Sequence, residues 1–156
     1  MASDLSIALS QLHALLLQLA EAEAAFSEGP RSIMVAEKQV AQMEQQIEDQ
    51  KAKIKQTRKN ADELNLKLKT KESELKKYEG QLNTATSNKE FDIIKGQIAN
   101  VRTDQADFEN AAFEAMEEID ATQVALKNLE TKLKNRRQAA VTIKAEVDAG
   151  KPALEA

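Results

Sequence analysis

Few side chains in this sequence belong to the types that carry out catalysis. It contains one histidine, His13, and no cysteine. Thiolate chemistry is therefore excluded, and a lone histidine with no second ligand nearby is expected to be a partly buried helix residue. The carboxylates are spread along polar helix positions, and no glycine-rich phosphate loop is present. These features predict a protein that is not an enzyme and that holds no metal or cofactor.

Two basic clusters could bind an anionic partner, since clustered lysines and arginines neutralise the phosphates of nucleic acids. The first lies within residues 51–59, and we expect an acidic segment later in the chain to neutralise it. The second consists of Lys127, Lys132, Lys134, Arg136 and Arg137. We favour pairing of this second cluster with Glu21, Glu23 and Glu28. The alternative is that it stays free for an anionic partner such as nucleic acid.

A short polar interruption at residues 82–91 separates two long apolar-patterned segments. Polar residues in such a loop can be contacted without disturbing a packed seam. The candidate partner-binding residues are Asn88, Lys89, Glu90 and Phe91.

Three residues of this interruption also have simpler structural explanations. Ser87 and Glu90 have the spacing of a capping box, in which the Ser87 hydroxyl accepts from the Glu90 amide and the Glu90 carboxylate returns to the Ser87 amide. Phe91 is expected to close the last core layer. Capping and packing give no reason for the identities of Asn88 and Lys89, which makes these two the stronger partner-binding candidates.

Long helices with a heptad pattern must position these residues. Apolar residues recur every seven positions from Ile33 to Leu82, and at steps of three and four from Phe91 to Val147. This spacing is typical of a coiled coil. Gly29 and Pro30 are expected to end a first, shorter helix. The chain is predicted to be a single elongated domain (1–156), with helices over 4–27, 31–83 and 88–149 and the tip at 84–87.

Charge predicts how the long helices pair. Residues 51–71 hold eight basic and two acidic side chains, whereas residues 101–121 hold one basic and seven acidic side chains. These blocks face each other only if the chain folds back near Thr86, and such blocks select orientation more than they add stability. The predicted fold is all-α, a long antiparallel coiled-coil hairpin with the short N-terminal helix folded against its base. Alternatively, the leucine face of that helix meets a second molecule, so a monomer or a weak homodimer is expected.

The first twenty residues are apolar enough to be compared with a signal peptide or a membrane span. They lack a basic segment, contain Asp4 and are interrupted by several polar residues, which is unlike either class. The net charge of −4 gives no general attraction to nucleic acid or acidic membranes. We therefore predict a cytoplasmic protein that does not associate with a membrane.

The sequence around the interruption resembles a known family. Residues 76–82 read KKYEGQL and residues 86–91 read TSNKEF. This is similar to the hairpin turn of bacterial coiled-coil proteins with a C-terminal four-cysteine zinc ribbon, which typically reads K-Y-E-x-Q-L and then T-N-K-E-Y. Ser87 stands where threonine is usual in the family, and Phe91 where tyrosine is usual. With no cysteine in the sequence, no zinc site is carried over.

The resemblance implies an adaptor or regulator whose partner is a sigma factor or another part of the transcription machinery, with links to flagellar regulation and to RNA. The leading hypothesis is therefore a non-enzymatic protein that binds a protein partner through residues 88–91. One alternative is a nucleic-acid-binding protein that uses the second basic cluster. Another is a coiled-coil factor that enters the RNA polymerase secondary channel with Glu90 and Asp92 at its tip.

Overall fold

The computed structural model describes the backbone of residues 1–155 and the side chains of residues 1–150. Within that range the chain forms two helices, α1 (Ala2–Thr84) and α2 (Asn88–Glu155), and no strand. The two helices pack against each other as a hairpin, which confirms the predicted all-α fold. The connection between them is limited to Ala85, Thr86 and Ser87.

The contacts between α1 and α2 divide the chain into two units, each with one stretch of either helix. The terminal unit comprises Met1–Gln46 and the chain from Leu129 onward, and the turn unit comprises Ile47–Asn128.

The core of the turn unit is a narrow seam. Its buried apolar residues are Ile47, Ile54, Ala61, Ile98, Val101 and Ala112. Thr57 and Thr122 are also buried in the seam. The hydroxyl of Thr57 donates to the Lys53 carbonyl at 2.9 Å, and that of Thr122 donates to the Glu118 carbonyl at 2.7 Å. Because each hydroxyl finds a partner on its own helix, the two threonines enter the seam without an unsatisfied polar group.

Two ion pairs within the turn unit join the basic stretch of α1 to the acidic stretch of α2, and a third, between Arg102 of α2 and Glu79 of α1 at 3.9 Å, has the opposite sense. Lys53 Nζ lies 3.0 Å from Glu118 Oε1, and Lys71 Nζ lies 3.2 Å from Asp104 Oδ2. Lys71 also contacts Glu74 on its own helix at 3.0 Å. Its hydrogen bonds to Glu74 and Asp104 raise the pKa of the Lys71 ammonium above its ordinary value. These contacts place opposite charges together, as an antiparallel hairpin requires.

The predicted end of a first helix at Gly29 and Pro30 is wrong, because α1 continues through both residues. Ranges 4–27 and 31–83 are one element, and no separate short helix folds back. Proline inside a helix costs about 3 kcal/mol through its missing amide and its clash with the preceding turn. Phe26 and Ile33 are seven residues apart, so the heptad seam keeps its phase across Pro30 and favours a continuous helix.

Close packing in the terminal unit also supports the continuous helix. A Cβ added at Gly29 would lie 2.9 Å from Val147 Cγ1, so α2 approaches α1 at the glycine. Neither Gly29 nor Gly150 has a positive φ angle, and the left-handed cap that would end a helix is therefore missing at both. The backbone of α2 correspondingly runs to Glu155, and the predicted end near Ala149 is also wrong.

Candidate functional site at the hairpin turn

Local hydrogen bonds fix the connection between α1 and α2. Thr84, the last residue of α1, donates its hydroxyl hydrogen to the Gln81 carbonyl at 3.1 Å. The Ala85 amide donates to the Leu82 carbonyl at 3.4 Å. On the other side, the Phe91 amide donates to the Ser87 carbonyl at 3.1 Å, which closes the first turn of α2. The chain therefore reverses over three residues with both flanking helix ends hydrogen-bonded.

Ser87 caps α2 as predicted, but the return contact differs. The Glu90 amide donates to Ser87 Oγ at 3.2 Å, which is the expected half of the capping box. The Glu90 carboxylate accepts from the Thr86 amide at 3.3 Å, not from the Ser87 amide. Because the chain bends at Ser87, the amide one residue further out is the one within reach of the carboxylate. The negative charge of Glu90 also lies in the first turn, where the helix dipole favours it.

All four candidate partner-binding residues are exposed. Asn88 is the first residue of α2, and Lys89 follows it. Neither side chain makes a hydrogen bond or an ion pair within the part of the chain that the structure describes. Glu90 is occupied by its contact with Thr86. Asn88 and Lys89 are therefore available to a second molecule without loss of any contact that holds the turn.

Phe91 does not close a core layer, contrary to expectation. Its side chain is 37% exposed, and Lys95 Nζ lies 4.6 Å from the centre of its ring. Such a cation–π contact is worth about 0.5–1 kcal/mol at an exposed site. Ile94 and Ile98 are the residues of this stretch that face the seam. The aromatic ring is thus a surface feature that a flexible lysine partly covers.

Ile93 is a second exposed apolar side chain beside the turn, with 54% of its surface accessible. Residues three and four apart are neighbours on a helix surface. Asn88 therefore lies next to Phe91, and Lys89 lies next to Ile93. We refer to Asn88, Lys89, Phe91 and Ile93 as the turn patch. Phe91 and Ile93 are two residues apart, so the two pairs of polar and apolar side chains lie on different sides of the first turns of α2. Sequence reasoning missed Ile93, although its place one residue before the seam position Ile94 predicts exposure.

Two of the five members of the second basic cluster contact α1. In the terminal unit, Arg136 donates to Gln39 Oε1 at 2.9 Å and Arg137 donates to Glu44 Oε1 at 2.6 Å. The predicted pairing with Glu21, Glu23 and Glu28 is wrong, because the continuous α1 carries these glutamates past the cluster. Of the remaining members, Lys132 and Lys134 are exposed, whereas Lys127 belongs to the turn unit and has interactions of its own.

The first basic cluster is only partly neutralised. Lys53 pairs with Glu118, and Lys51 pairs with Glu48 on its own helix at 3.4 Å. Lys55, Arg58 and Lys59 form no ion pair with any described residue. Together with Ile54 and Leu126 they line a shallow groove of about 560 Å³ in the turn unit. Their spacing of three and four residues, which places them on one helix face, was the sequence signal for this groove.

His13 is fully on the surface of α1, so the expectation of a partly buried histidine is wrong. The reason is that the first turns of α1 do not fold back onto another helix. Among the described residues, no group of three or more histidine, aspartate or glutamate side chains could hold a metal ion.

The first twenty residues of α1 are exposed throughout. An 18-residue segment near the N terminus has a mean hydropathy of 1.3. By length and composition alone it could cross a membrane, and none of it is buried in the structure. Leu5, Leu12, Leu19, Phe26 and Ile33 are each seven residues apart. This unbroken spacing was the signal that the leucines share a seam with the rest of α1.

Comparison with known proteins identifies no relative of this chain. No family model, no curated protein and no solved structure matches it.

Proposed function

We propose that this protein is a non-enzymatic cytoplasmic interaction protein that binds a protein partner through the turn patch. The observation that carries the proposal is the exposure of Phe91 and Ile93 beside a turn whose hydrogen bonds are already complete. Exposed aromatic and aliphatic side chains flanked by polar groups are the usual anchors of protein interfaces. A turn that is already ordered loses little conformational entropy when a partner binds it.

The composition of the turn patch favours a protein over a nucleic acid as its partner. The first turn of α2 carries Lys89 but also Glu90 and Asp92, so it has no net positive charge. Binding to phosphates requires an excess of positive charge. A partner surface with an apolar pocket for Phe91 and polar groups for Asn88 would match the patch better.

The resemblance of residues 76–91 to the turn of the zinc-ribbon coiled-coil family is a second, sequence-based support for the same proposal. By that resemblance, the partner belongs to the transcription machinery, such as a sigma factor, and the pathway is transcription or flagellar regulation. The secondary-channel alternative is less favoured, because the Glu90 carboxylate already accepts the Thr86 amide.

The experiment is capture of partners from a lysate with the tagged chain as bait, compared across variants. Phe91→Ser with Ile93→Ser should abolish capture of a protein that the unchanged chain retains, and Asn88→Ala with Lys89→Ala should weaken it. The control is Phe113→Ser with Met116→Ser, which removes two apolar side chains elsewhere on α2 that are more exposed than Phe91 and Ile93. The control should capture the partner normally.

Circular dichroism must show the same helix content and melting temperature for all of these variants, so that a loss of capture reports on the surface alone. Equal capture by the turn variant and the unchanged chain would overturn the proposal.

Nucleic-acid binding through the second basic cluster is the competing function, and it predicts a different result. Titration with short RNA or duplex DNA at two salt concentrations should then show an affinity that falls steeply with salt, because phosphate contacts release counterions. Substitution of Lys132 and Lys134 by glutamine should reduce that slope. Since Arg136 and Arg137 already contact α1, we expect at most weak binding.

A further inference from the structure

The N-terminal part of α1 carries an apolar surface that no other described residue covers. Seven leucines there are each more than half exposed, and six of them form the surface that we call the leucine stripe: Leu5, Leu9, Leu12, Leu15, Leu16 and Leu19. Isolated exposed leucines are ordinary on protein surfaces, but a contiguous set of this size marks an interaction site.

These leucines continue the heptad positions that α1 uses for packing further along the chain. In the terminal unit, Gly29 approaches Val147 of α2. Steps of three and four residues backward from Gly29 lead to Phe26, Ala22 and Leu19, and then to Leu15, Leu12, Ala8 and Leu5. The exposed surface is therefore a seam of the kind that α2 already fills beside Gly29.

The arrangement of the apolar residues separates a helical partner from a membrane. At about 100° per residue, the six leucines and Ala8 fall within an arc of about 120°, which is the width of a helix-packing stripe. A spanning helix is apolar on all sides. The rest of the circumference within residues 5–20 is mixed, with Ser6, Ser10, Gln11, His13 and Gln18 beside Ile7, Ala14, Leu17 and Ala20. Residues 5–20 also contain no lysine or arginine, which helices lying on a membrane surface carry on their polar face.

We propose that residues 5–22 of α1 pair with the same residues of a second copy of this chain in an antiparallel two-helix seam. Such a contact is symmetric, because each copy contributes the same surface and the contact closes on itself. It requires no other protein, and it buries no formal charge between Leu5 and Ala20.

The sizes of the seam residues favour the antiparallel direction. When positions that add up to 27 face each other, Leu5 lies opposite Ala22, Ala8 opposite Leu19, and Leu12 opposite Leu15. Large side chains then meet small ones at both ends, as interdigitated packing requires. In a parallel pair Ala8 would face Ala8 and Ala22 would face Ala22, which leaves two underfilled layers.

The available area is sufficient for a specific dimer. At roughly 100 Å² for each exposed leucine, burial of the six on both copies removes roughly 1,200 Å² from water, which reaches the range of specific interfaces. That value lies at the lower end of the range, so we expect a reversible dimer.

The oligomeric state of the full chain tests the proposal. Sedimentation equilibrium over a micromolar to millimolar series should show a monomer of 17.3 kDa in exchange with a dimer. Leu12→Gln with Leu15→Gln should weaken the dimer at least about tenfold. The matched control is Ile7→Gln with Leu17→Gln, because these two side chains are equally exposed but lie outside the leucine stripe. This control should dimerise like the unchanged chain.

The direction of pairing is tested separately by disulfide formation, since the chain contains no cysteine of its own. A mixture of Ala8→Cys and Leu19→Cys chains should give the mixed disulfide on oxidation, which its mass distinguishes from both symmetric products. Predominance of the symmetric products would overturn the antiparallel arrangement.

Two results would overturn the dimer itself. One is a monomer over the whole concentration series with unchanged helix content by circular dichroism. The other is flotation of the chain with phosphatidylcholine vesicles that the Leu12 and Leu15 variant no longer joins, because the leucines would then be a lipid-binding surface. Equal loss of dimer in the control variant would also count against the assigned stripe.

Discussion

Ser87 is the residue that does most to define where α2 begins. Its hydroxyl accepts the Glu90 amide, which would otherwise be one of the unpaired donors at a helix start. The neighbouring Asn88 has no side-chain hydrogen bond within the described part of the chain. Ser87 therefore holds the start of α2, whereas the Asn88 side chain makes no contact that holds it.

Ser87→Ala should lower the free energy of unfolding by about 1 kcal/mol, because it removes an N-cap side chain. Asn88→Ala is the matched control and should change stability by less than about 0.5 kcal/mol, as expected for an uncontacted surface residue. Urea unfolding followed by circular dichroism measures both. Equal destabilisation by the two substitutions would contradict the assignment of Ser87 as the cap.

Within the helices, Gly29 has a close neighbour on the other helix, whereas Gly80 and Gly96 do not. A Cβ added at Gly29 would meet the stiff side chain of Val147 at 2.9 Å, whereas one added at Gly80 or Gly96 would meet no atom within 4 Å. Gly29 thus marks the place where two helices approach closely. Gly80 and Gly96 have no packing role, so their cost in helix propensity is not repaid by any contact.

These surroundings predict opposite effects of the same substitution. Gly80→Ala and Gly96→Ala should each raise the free energy of unfolding by about 0.5–1 kcal/mol, because alanine has the higher helix propensity and restricts the unfolded chain. Gly29→Ala should lower it, because the new methyl group displaces Val147. Thermal and urea unfolding of the three variants provide the comparison. Stabilisation by Gly29→Ala would show that α2 does not approach α1 at this position.

In the whole molecule, each of the two units has a narrow seam between α1 and α2, and few of the described residues are buried. The turn patch and the N-terminal leucines are the two proposed binding surfaces, and they differ in chemistry. The first combines polar and apolar groups, and the second is a leucine stripe without formal charge.

Self-association through the leucine stripe has a consequence for global stability. The melting temperature should rise with protein concentration, because mass action stabilises a folded state that dimerises. The Leu12→Gln with Leu15→Gln variant should melt at a temperature independent of concentration, and the Ile7→Gln with Leu17→Gln control should behave like the unchanged chain. Differential scanning calorimetry at several concentrations measures this. A concentration-independent melt of the unchanged chain would argue against dimerisation.

Sequence alone determined the hairpin, its antiparallel direction and the cap at Ser87. The heptad spacing recurs along both helices, and the charge blocks at 51–71 and 101–121 each span about twenty residues. A single residue that departs from these patterns therefore does not change the predicted pairing of the helices. Capping is local and depends only on residues three apart. Asn88 and Lys89 are exposed in the first turn of α2, and their role in binding stays a prediction.

Only the tertiary structure decided the path of α1 through Pro30, the exposure of Phe91 and the uncovered state of the leucine stripe. Each depends on a balance between a local preference and a contact with a distant residue. Proline favours a break, but the unbroken seam and the approach of Val147 to Gly29 support a continuous helix. Once α1 continues straight through Pro30, its first twenty residues cannot fold back, and their leucines are left on the surface.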